Sequence, residues 1–335
     1  MLHTRLCDLL RIEVPILCAP FGPWPEVELA AAVCSAGGLG SLGTAAAPLP
    51  VLRERWSRLR DLTDRPFAVN HAVRPFDEEA FDATLAFRPD VISFHQLVCP
   101  DLVARAHERG ILWVQQVMHR AQAEEALRAG ADVIVAQGGE AGGHSGSVAG
   151  MVLLAQVLDL AGDVPVVLAG GVADGRGLAA ALAMGASGVC MGTRFLASTE
   201  MAVHADWKRR IVEADALDAV KVANDDLIMP PYTRPGAPPH RPRALRTPLV
   251  DALADRPGTV DGAAVGAEFL GAVARGRGDE YLPFAGQTVG LVHDVRPAAE
   301  IIHEVTAGAA AALQAAAALT APPAREHQPT HRPST

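Results

Sequence analysis

The sequence predicts a (β/α)₈ barrel, also called a TIM barrel, with a mainly helical C-terminal subdomain inserted before its last helix. Short apolar runs recur about every 20–30 residues, helical patterns separate them, and eight runs occur before residue 195. A barrel of this class has eight strands that alternate with helices, which matches the eight runs. An open doubly wound sheet is the alternative, but no G-x-G-x-x-G follows the first run, which weakens its dinucleotide-binding version.

The predicted strands are short and rich in Val, Ile and Leu. They are Pro15–Ala19, Leu39–Leu42, Phe67–Asn70, Val91–Phe94, Leu112–Val117, Val133–Ala136, Val164–Ala169 and Gly188–Met191.

Helix signals lie between these strands. Glu26–Ser35 is alanine-rich and stops at two glycines, and Pro50–Asp61 is amphipathic. Ala121–Gly130 has an acid–base pair and a glycine stop. Asp174–Gly185 begins with a capping aspartate and ends at a glycine.

The composition changes after Phe195, and this change predicts the domain organisation. We expect a barrel core over 1–200, a helical and Pro-rich insertion over 201–280, a return to the barrel with a C-terminal helix over 281–320, and a disordered tail over 321–335.

The Pro-rich segment 229–243 should be a long surface excursion, because proline is excluded from regular helix and from central strands. Helical patterns return at Leu245–Leu253, Val260–Arg275 and Pro297–Ala317.

Composition argues against several classes of partner. The formal net charge is −9 and no basic run occurs, so we expect no nucleic-acid partner. The N-terminal residues lack the pattern of a signal peptide. The apolar stretch Ala307–Ala321 is mostly alanine, a strong helix former and a weak membrane anchor, so we expect a helix and no membrane partner.

The five cysteines have neither paired nor metal-ligand spacing. Cys18 and Cys190 lie in apolar runs and are most simply buried free thiols. A reducing compartment fits this usage, and we expect a cytoplasmic protein.

A histidine follows each of four successive predicted strands, where a barrel binds its ligands: His71, His95, His119 and His144. Each one alone is an ordinary polar loop residue, but the four together predict one shared mouth. A metal site is the alternative for such a cluster. We expect no metal, because no H-x-H, H-E-x-x-H or cysteine pair occurs.

Small residues end the seventh and eighth predicted strands. Gly170 and Gly171 follow one strand, and Gly192 and Thr193 follow the other. Bare backbone N–H groups at neighbouring strand ends, beside a short helix start, can bind a phosphate. Tight turn geometry alone is the other explanation of these glycines.

The segment DVIVAQGGEAGGHSG, residues 132–146, joins an apolar strand to a glycine-rich loop that carries Gln137, Glu140 and His144. Glycine costs conformational entropy, and close approach to a ligand is the usual reason for so many.

Three segments resemble the nitronate monooxygenase family, formerly called 2-nitropropane dioxygenases. They are residues 132–146, VPVVLAGGVADGRGLAAALAMGASGVCMGTRF and FAGQTVGLV. The resemblance covers most of residues 10–200 and returns at 281–305. The second segment is specific to a wider superfamily that also contains FMN-dependent enoyl-acyl-carrier-protein reductases and NADH:quinone reductases, and the first favours nitronate monooxygenase.

The resemblance implies a barrel that binds FMN without covalent attachment. The residues that it assigns to the cofactor are Ala19, Pro20, Phe21, Asn70, Gln137, Gly142, Gly143, Gly170, Gly171, Cys190, Met191, Gly192 and Thr193. In that set, Asn70 and Gln137 would hydrogen-bond the isoalloxazine ring, and the glycines with Thr193 at the ends of strands seven and eight would hold the phosphate. His144 would be the catalytic base or the contact to the nitro group. The substrate mouth would be shaped by His71, His95 and His119.

The chain departs from the family pattern at three places. Phe21 stands where Met is frequent, Val117–Arg120 stands where small hydroxyl residues are common, and the Pro-rich insert 230–243 has no counterpart that we can match. These departures bear on the substrate more than on the cofactor.

The implied activity is oxidation of alkyl nitronates, or of nitroalkanes, by molecular oxygen to a carbonyl compound and nitrite. An imidazole with a near-neutral pKa suits removal of the proton beside a nitro group. Two alternatives stay open: an NAD(P)H-dependent flavin reductase of quinones or enoyl thioesters, and a non-catalytic flavin-binding regulatory protein. The acidic chain argues mildly against an acidic acyl-carrier-protein partner. The expected partners are a small-molecule substrate and molecular oxygen, and a homodimer stays open.

Overall fold

A computed structural model describes residues 2–24, 26–45, 47–72, 76–229, 238 and 240–319. Its largest sheet contains β1 (Ile16–Cys18), β2 (Gly40–Gly43), β3 (Phe67–Ala72), β4 (Val91–His95), β5 (Leu112–Val117), β6 (Val133–Gln137), β8 (Val166–Ala169) and β9 (Gly188–Met191). A smaller sheet contains β7 (Gly143–Ser145), β10 (Ala219–Lys221) and β11 (Arg241–Leu245).

The large sheet is a closed parallel barrel. Its strand order is β1-β9-β8-β6-β5-β4-β3-β2, and Leu17 of β1 pairs in parallel with Leu39 just before β2. The Cys18 N–H donates to the Leu39 carbonyl at 2.9 Å, which closes the ring of strands. The predicted barrel and its eight strands are therefore confirmed.

Helices follow the barrel strands and continue into the C-terminal part. They are α1 (Arg5–Leu10), α2 (Val27–Ser35), α3 (Leu49–Leu62), α4 (Glu78–Phe87), α5 (Pro100–His107), α6 (Arg120–Arg128), α7 (Gly150–Ala161), α8 (Gly175–Ala183), α9 (Thr193–Leu196), α10 (Ala205–Glu213), α11 (Pro248–Asp255), α12 (Gly262–Ala274) and α13 (Ala298–Ala318).

Local signals explain two helix starts. The Asp174 carboxylate caps α8 by accepting from the N–H groups of Arg176 and Gly177, as the sequence predicted. α11 begins later than the predicted Leu245, because Thr247 is its cap and Pro248 occupies the first turn.

The lower end of the barrel is filled and the upper end is free for a site. Leu6 and Leu10 of α1 pack into the same apolar cluster as the inward-facing Val114, Val133 and Val167. α1 therefore plugs the N-terminal end of the strands, which leaves their C-terminal ends as the mouth.

α13 packs along α8 through small residues. A Cβ added to Gly175 would lie 2.6 Å from the Cα of Gly308, so the two backbones touch at this point. By length and composition, α13 is a helix that could cross a membrane. Its buried residues, Ala298, Ile301, Ile302, Val305 and Ala309, form one stripe, the pattern of a helix that covers a core.

One prediction for the Pro-rich segment is wrong, because part of this segment forms a central strand. Residues 230–237 and 239 lie outside the described residues, but Arg241–Leu245 is the middle strand of the small sheet, whereas the sequence excluded a central strand through residue 243. Pro242 is tolerated because it lies opposite Val222, just beyond the end of β10, and its carbonyl accepts from the Val222 N–H at 2.9 Å. A hydrogen bond from the nitrogen of residue 242 back to Val222 is not needed there, because β10 has already ended, so the lack of an N–H on proline costs no ladder bond.

The predicted insertion has a small core of its own. Val222, Ala244, Leu253, Phe269 and Leu282 are buried together in one apolar cluster. The tail 321–335, expected to be disordered, lies outside the described residues.

Candidate active site

A cleft opens at the mouth of the barrel. Its floor is apolar and includes Leu39, Val114 and Val135. Polar side chains at the ends of consecutive strands line its wall, namely Ser41, Asn70, Ser93 and Gln116, and Cys18, Pro20 and Cys190 complete the lining. This mixture of an apolar floor and a few polar side chains is typical of a small-molecule or cofactor site.

Side-chain amides form a hydrogen-bonded rim on β3 to β6. The Asn70 amide donates to the Ser93 hydroxyl at 2.9 Å. The Gln116 amide donates to Gln137 Oε1 at 2.9 Å, and Gln137 donates to the Gly142 carbonyl at 3.4 Å. The rim therefore holds the Gly142 loop against the barrel. Sequence reasoning found Asn70 and Gln137 but missed Ser93 and Gln116, whose signal was a polar residue at an inward position of an apolar strand.

The segment after β1 meets the end of β9. The Ala19 N–H donates to the Met191 carbonyl at 2.9 Å. A Cβ added to Gly192 would lie 3.4 Å from Ala19 Cβ and 3.9 Å from the Phe21 ring. Together with Pro20, which lines the cleft, these residues form one wall of the site.

The glycines after β8 adopt left-handed backbone conformations, with φ of 93° at Gly170 and 74° at Gly171. Across the mouth, Thr193 Oγ1 accepts from the Gly286 N–H at 2.9 Å. A Cβ added to Gly142 would lie 2.6 Å from the Gly286 nitrogen, so glycine is required where these two backbones touch. The segment FAGQTVGLV thus locks the loop of residues 138–143 to the barrel.

These residues fit a flavin mononucleotide. The backbone N–H groups of Gly171 and Thr193 donate to no other residue in the described part of the chain, so both are available to phosphate oxygens. The amide rim offers donors and acceptors to a flat polar ring. Glu140 limits the space: its carboxylate accepts from the Gly150 N–H at 3.1 Å and lies 3.3 Å from a Cβ placed on Gly171.

His144 lies on β7, where its register partner is Pro242 of β11. Its ring centroid is 6.3 Å from that of His240 and 6.1 Å from that of Phe284. Burial, followed by the charges of His95, His240 and Lys221, lowers the pKa of His144 from 6.5 to about 3. The expected near-neutral pKa is therefore wrong, and the imidazole is neutral at pH 7.

His144 belongs to a cluster of histidines centred on His240. Burial, followed by the proximity of His240, lowers the pKa of His95 to about 4. Burial also lowers the pKa of His240, with contributions from Lys221 and His119. The structure therefore brings His95, His119 and His144 together around His240. Sequence reasoning missed His240, because it stands among prolines without a motif.

His71 and His119 have additional structural roles. His71 is 1% exposed, lies between Phe81 and Phe94, and its Nε2 is 3.0 Å from Thr84 Oγ1 on α4. The structure thus places the His71 ring in the layer between barrel and helices, while the His71 backbone hydrogen-bonds to His95 on the neighbouring strand. His119 caps α6, where its Nδ1 accepts from the Gln122 N–H at 3.2 Å.

Two cations of the small sheet fix the strand that carries His144 and the loop before it. Lys221 Nζ donates to the Ser145 carbonyl at 2.6 Å and to the Arg241 carbonyl at 3.1 Å. Arg243 donates to the Gly139 carbonyl at 2.9 Å. Burial lowers the pKa of Lys221 to about 8, so this amine is mainly charged at pH 7 and opposes protonation of His144.

Comparison with known proteins identifies the family. The protein-family model described as nitronate monooxygenase matches residues 3–84 and 72–308 of this chain. A Mycobacterium tuberculosis protein named (3aS,4S,5R,7aS)-5-hydroxy-7a-methyl-1-oxo-octahydro-1H-indene-4-carboxyl-CoA dehydrogenase is 40% identical over 257 residues, which is 75% of this chain and 68% of that protein. A nitronate monooxygenase of Pseudomonas aeruginosa is 33% identical over 348 residues, 89% of this chain and 97% of the relative.

Among solved structures, FabK from Thermotoga maritima has a TM-score of 0.84 and 33% identity, and the match covers 95% of this chain and 100% of FabK. The sequence match, the closed barrel and the shared architecture agree: the chain belongs to the nitronate monooxygenase family of oxidoreductases.

Proposed function

We propose that this protein is an FMN-dependent oxidoreductase that oxidises alkyl nitronates with molecular oxygen to carbonyl compounds and nitrite. The observation that carries the proposal is the neutral imidazole of His144, on a strand that follows the Gly142 loop, which Gln137 holds against a cleft suited to a flavin. The relative in Pseudomonas aeruginosa, named a nitronate monooxygenase, supports the substrate class.

The chain's own residues would bind and orient the cofactor. Asn70 and Gln116 would face the polar edge of the isoalloxazine, and the N–H groups of Gly171 and Thr193 would bind the phosphate. Bound FMN supplies the electron acceptor and the reaction with oxygen. The small residues Ala19 and Gly192 leave room for a planar ring beside Phe21.

The low pKa of His144 favours the nitronate over the neutral nitroalkane. An imidazole with a pKa of about 3 is a weak base, and the cation formed by proton transfer would be poorly solvated near Lys221. A nitronate already lacks the proton, and its negative charge would lie among imidazoles that can donate hydrogen bonds. With a nitroalkane, the anion formed on the substrate would have to stabilise the imidazolium as it forms.

A second candidate is a flavin-dependent dehydrogenase or reductase of acyl thioesters. The observation that favours it is the 40% identity to the CoA dehydrogenase of Mycobacterium tuberculosis, with FabK as a structural neighbour. His144 would then exchange a proton with a carbon near the thioester carbonyl, chemistry that also needs a positioned imidazole.

One set of measurements separates the two candidates. We expect the purified protein to show a flavin spectrum and to release FMN on heating, as identified by mass. Oxygen uptake with a small alkyl nitronate, faster than with the parent nitroalkane, is the expected result. Rapid anaerobic bleaching by NADH or NADPH, without nitronate-dependent oxygen uptake, would establish the reductase. Release of FAD would contradict the first candidate, and release of no flavin would contradict both.

A further inference from the structure

Glu26 is a buried carboxylate that joins two loops at the barrel mouth. It is 1% exposed. One oxygen accepts from the Phe21 N–H at 2.5 Å, in the segment after β1, and the other accepts from the Gly43 N–H at the end of β2. The two loops also touch directly, because a Cβ added to Gly43 would lie 2.7 Å from the Gly22 nitrogen.

The carboxylate has little charge compensation. Arg55 of α3 is the nearby cation, but its Nη2 donates to the Pro23 carbonyl at 3.2 Å. The other titratable neighbour is the Cys18 thiol of β1, whose pKa is raised by its own burial and by Glu26. Burial raises the pKa of Glu26 from 4.5 to about 7, against the lowering effects of its two hydrogen bonds and of Arg55.

Protonation would disrupt the bridge between the loops. An ionised carboxylate can accept an N–H at both oxygens, whereas a protonated carboxyl group carries a hydrogen on one of them. That hydrogen would face the N–H of Phe21 or of Gly43. The connection between the two loops is therefore complete only in the ionised form.

The bridged segment contacts both parts of the candidate site. The Phe21 ring lies 3.9 Å from a Cβ placed on Gly192. The Trp24 ring packs edge-on against Phe284 with centroids 6.2 Å apart, and Phe284 is 6.1 Å from His144. A shift of this segment would therefore move the wall beside the cleft and the aromatic contact behind His144.

We propose that Glu26 is a positioning residue: its carboxylate fixes the segment after β1 in the conformation that binds the flavin. This inference rests on the proposed FMN binding. It assigns a role to a residue that lies outside the three segments that resemble the family and that does not line the cleft.

The test is a titration of the ligand-free protein with FMN between pH 6 and pH 8.5, followed by flavin fluorescence. We expect the affinity of the unaltered protein to rise roughly tenfold over this range, the effect of one hydrogen bond to a charged group. In Glu26→Gln the affinity should be lower at pH 8 and nearly independent of pH. Because the FMN phosphate also titrates near pH 6, riboflavin is titrated in parallel. The matched control is Glu28→Gln, an exposed residue paired with Arg58, which should behave like the unaltered protein.

Glu26→Asp tests the bridge itself, since it keeps the charge but is one methylene shorter. It should bind FMN as weakly as Glu26→Gln. Unaltered affinity in Glu26→Asp, or the same pH dependence in Glu26→Gln as in the unaltered protein, would overturn the proposal.

Amide hydrogen exchange of the ligand-free protein separates this proposal from the proposed function. Residues 19–24 and 40–45 should exchange faster in Glu26→Gln than in Glu28→Gln at the same pH. Faster exchange in Glu26→Gln, with no FMN binding by any of the proteins, would support the Glu26 bridge and contradict the proposed function. Normal FMN binding with unaltered exchange in Glu26→Gln would contradict the role of Glu26 and leave the proposed function intact.

Discussion

His144 and Pro242 face each other in the register of a small antiparallel sheet, although they are far apart in the sequence. The strand that carries the candidate base is thus paired with the end of the Pro-rich segment. Lys221 donates to the Ser145 carbonyl of that strand, and Arg243 donates to the Gly139 carbonyl of the loop before it. The position of His144 therefore depends on residues outside the motif that contains it.

His144→Asn should separate proton removal from the later electron transfer. We expect a loss of about 10²–10⁴ in kcat/KM with a neutral nitroalkane, the usual value of general-base assistance. With a preformed nitronate the loss should be smaller, because only a hydrogen bond of about 1.5–3 kcal/mol is removed. FMN content should stay normal. Equal losses on both substrates with full FMN would make His144 a binding residue.

The pH dependence of nitronate oxidation should lack an acid limb near pH 6.5. His144 has a pKa lowered to about 3, so its neutral form persists as the pH falls from 8 to 5. The measurement is kcat/KM against pH at saturating FMN, within the stability range of the nitronate. An acid limb near 6.5 that disappears in His144→Asn would show that the imidazole titrates normally.

His71→Ala should affect stability. The ring is buried among Phe81 and Phe94, so we expect a loss of about 2–4 kcal/mol in the free energy of unfolding at pH 7.5, measured by denaturant titration. Burial lowers the pKa of His71 from 6.5 to about 3. Its contribution is therefore present above pH 6.5 and is lost as the pH falls toward 3, so the difference between the proteins should shrink over that window.

His95→Ala should affect substrate binding more than stability. We expect a raised KM for the nitronate, because His95 lies with His144 and His240. His119→Ala should lose about 1 kcal/mol of stability through its helix cap, with a smaller change in KM. A larger KM change in His71→Ala than in His95→Ala would contradict this division.

Gly171→Asp should abolish FMN binding, as measured by flavin content after purification. The added carboxylate would face Glu140 and repel a phosphate, and the left-handed backbone would strain any side chain. Gly162→Asp is the control, because Gly162 also has a positive φ but faces open space after α7. Equal flavin loss in both variants would point to backbone strain alone.

The barrel could be predicted because each strand carries its own local signal. Val133–Ala136 is apolar, is soon followed by a glycine-rich turn, and needs no distant residue to be recognised. The Asp174 cap and the two-glycine turn after β8 are equally local. Such features are encoded within a few residues, and the structure reproduces them closely.

The parts of the site that the sequence did not predict are long-range contacts. His240 and Lys221 meet His144 only through the pairing of β10, β11 and β7. His71 has the same polar side chain as His95, and only its packing against α4 distinguishes the two. The pKa of His144 likewise depends on burial that no local pattern reports.

The order of synthesis has a consequence for how this site is assembled. The last barrel strand ends at Met191, whereas the partner strands of β7 lie at residues 219–245. Chains emerge from the ribosome N-terminus first, so all eight barrel strands are synthesised before the strand of His144 has a sheet to join. The barrel core also includes Ile301 and Val305 of α13, so both the scaffold and the candidate base wait for the C-terminal part of the chain.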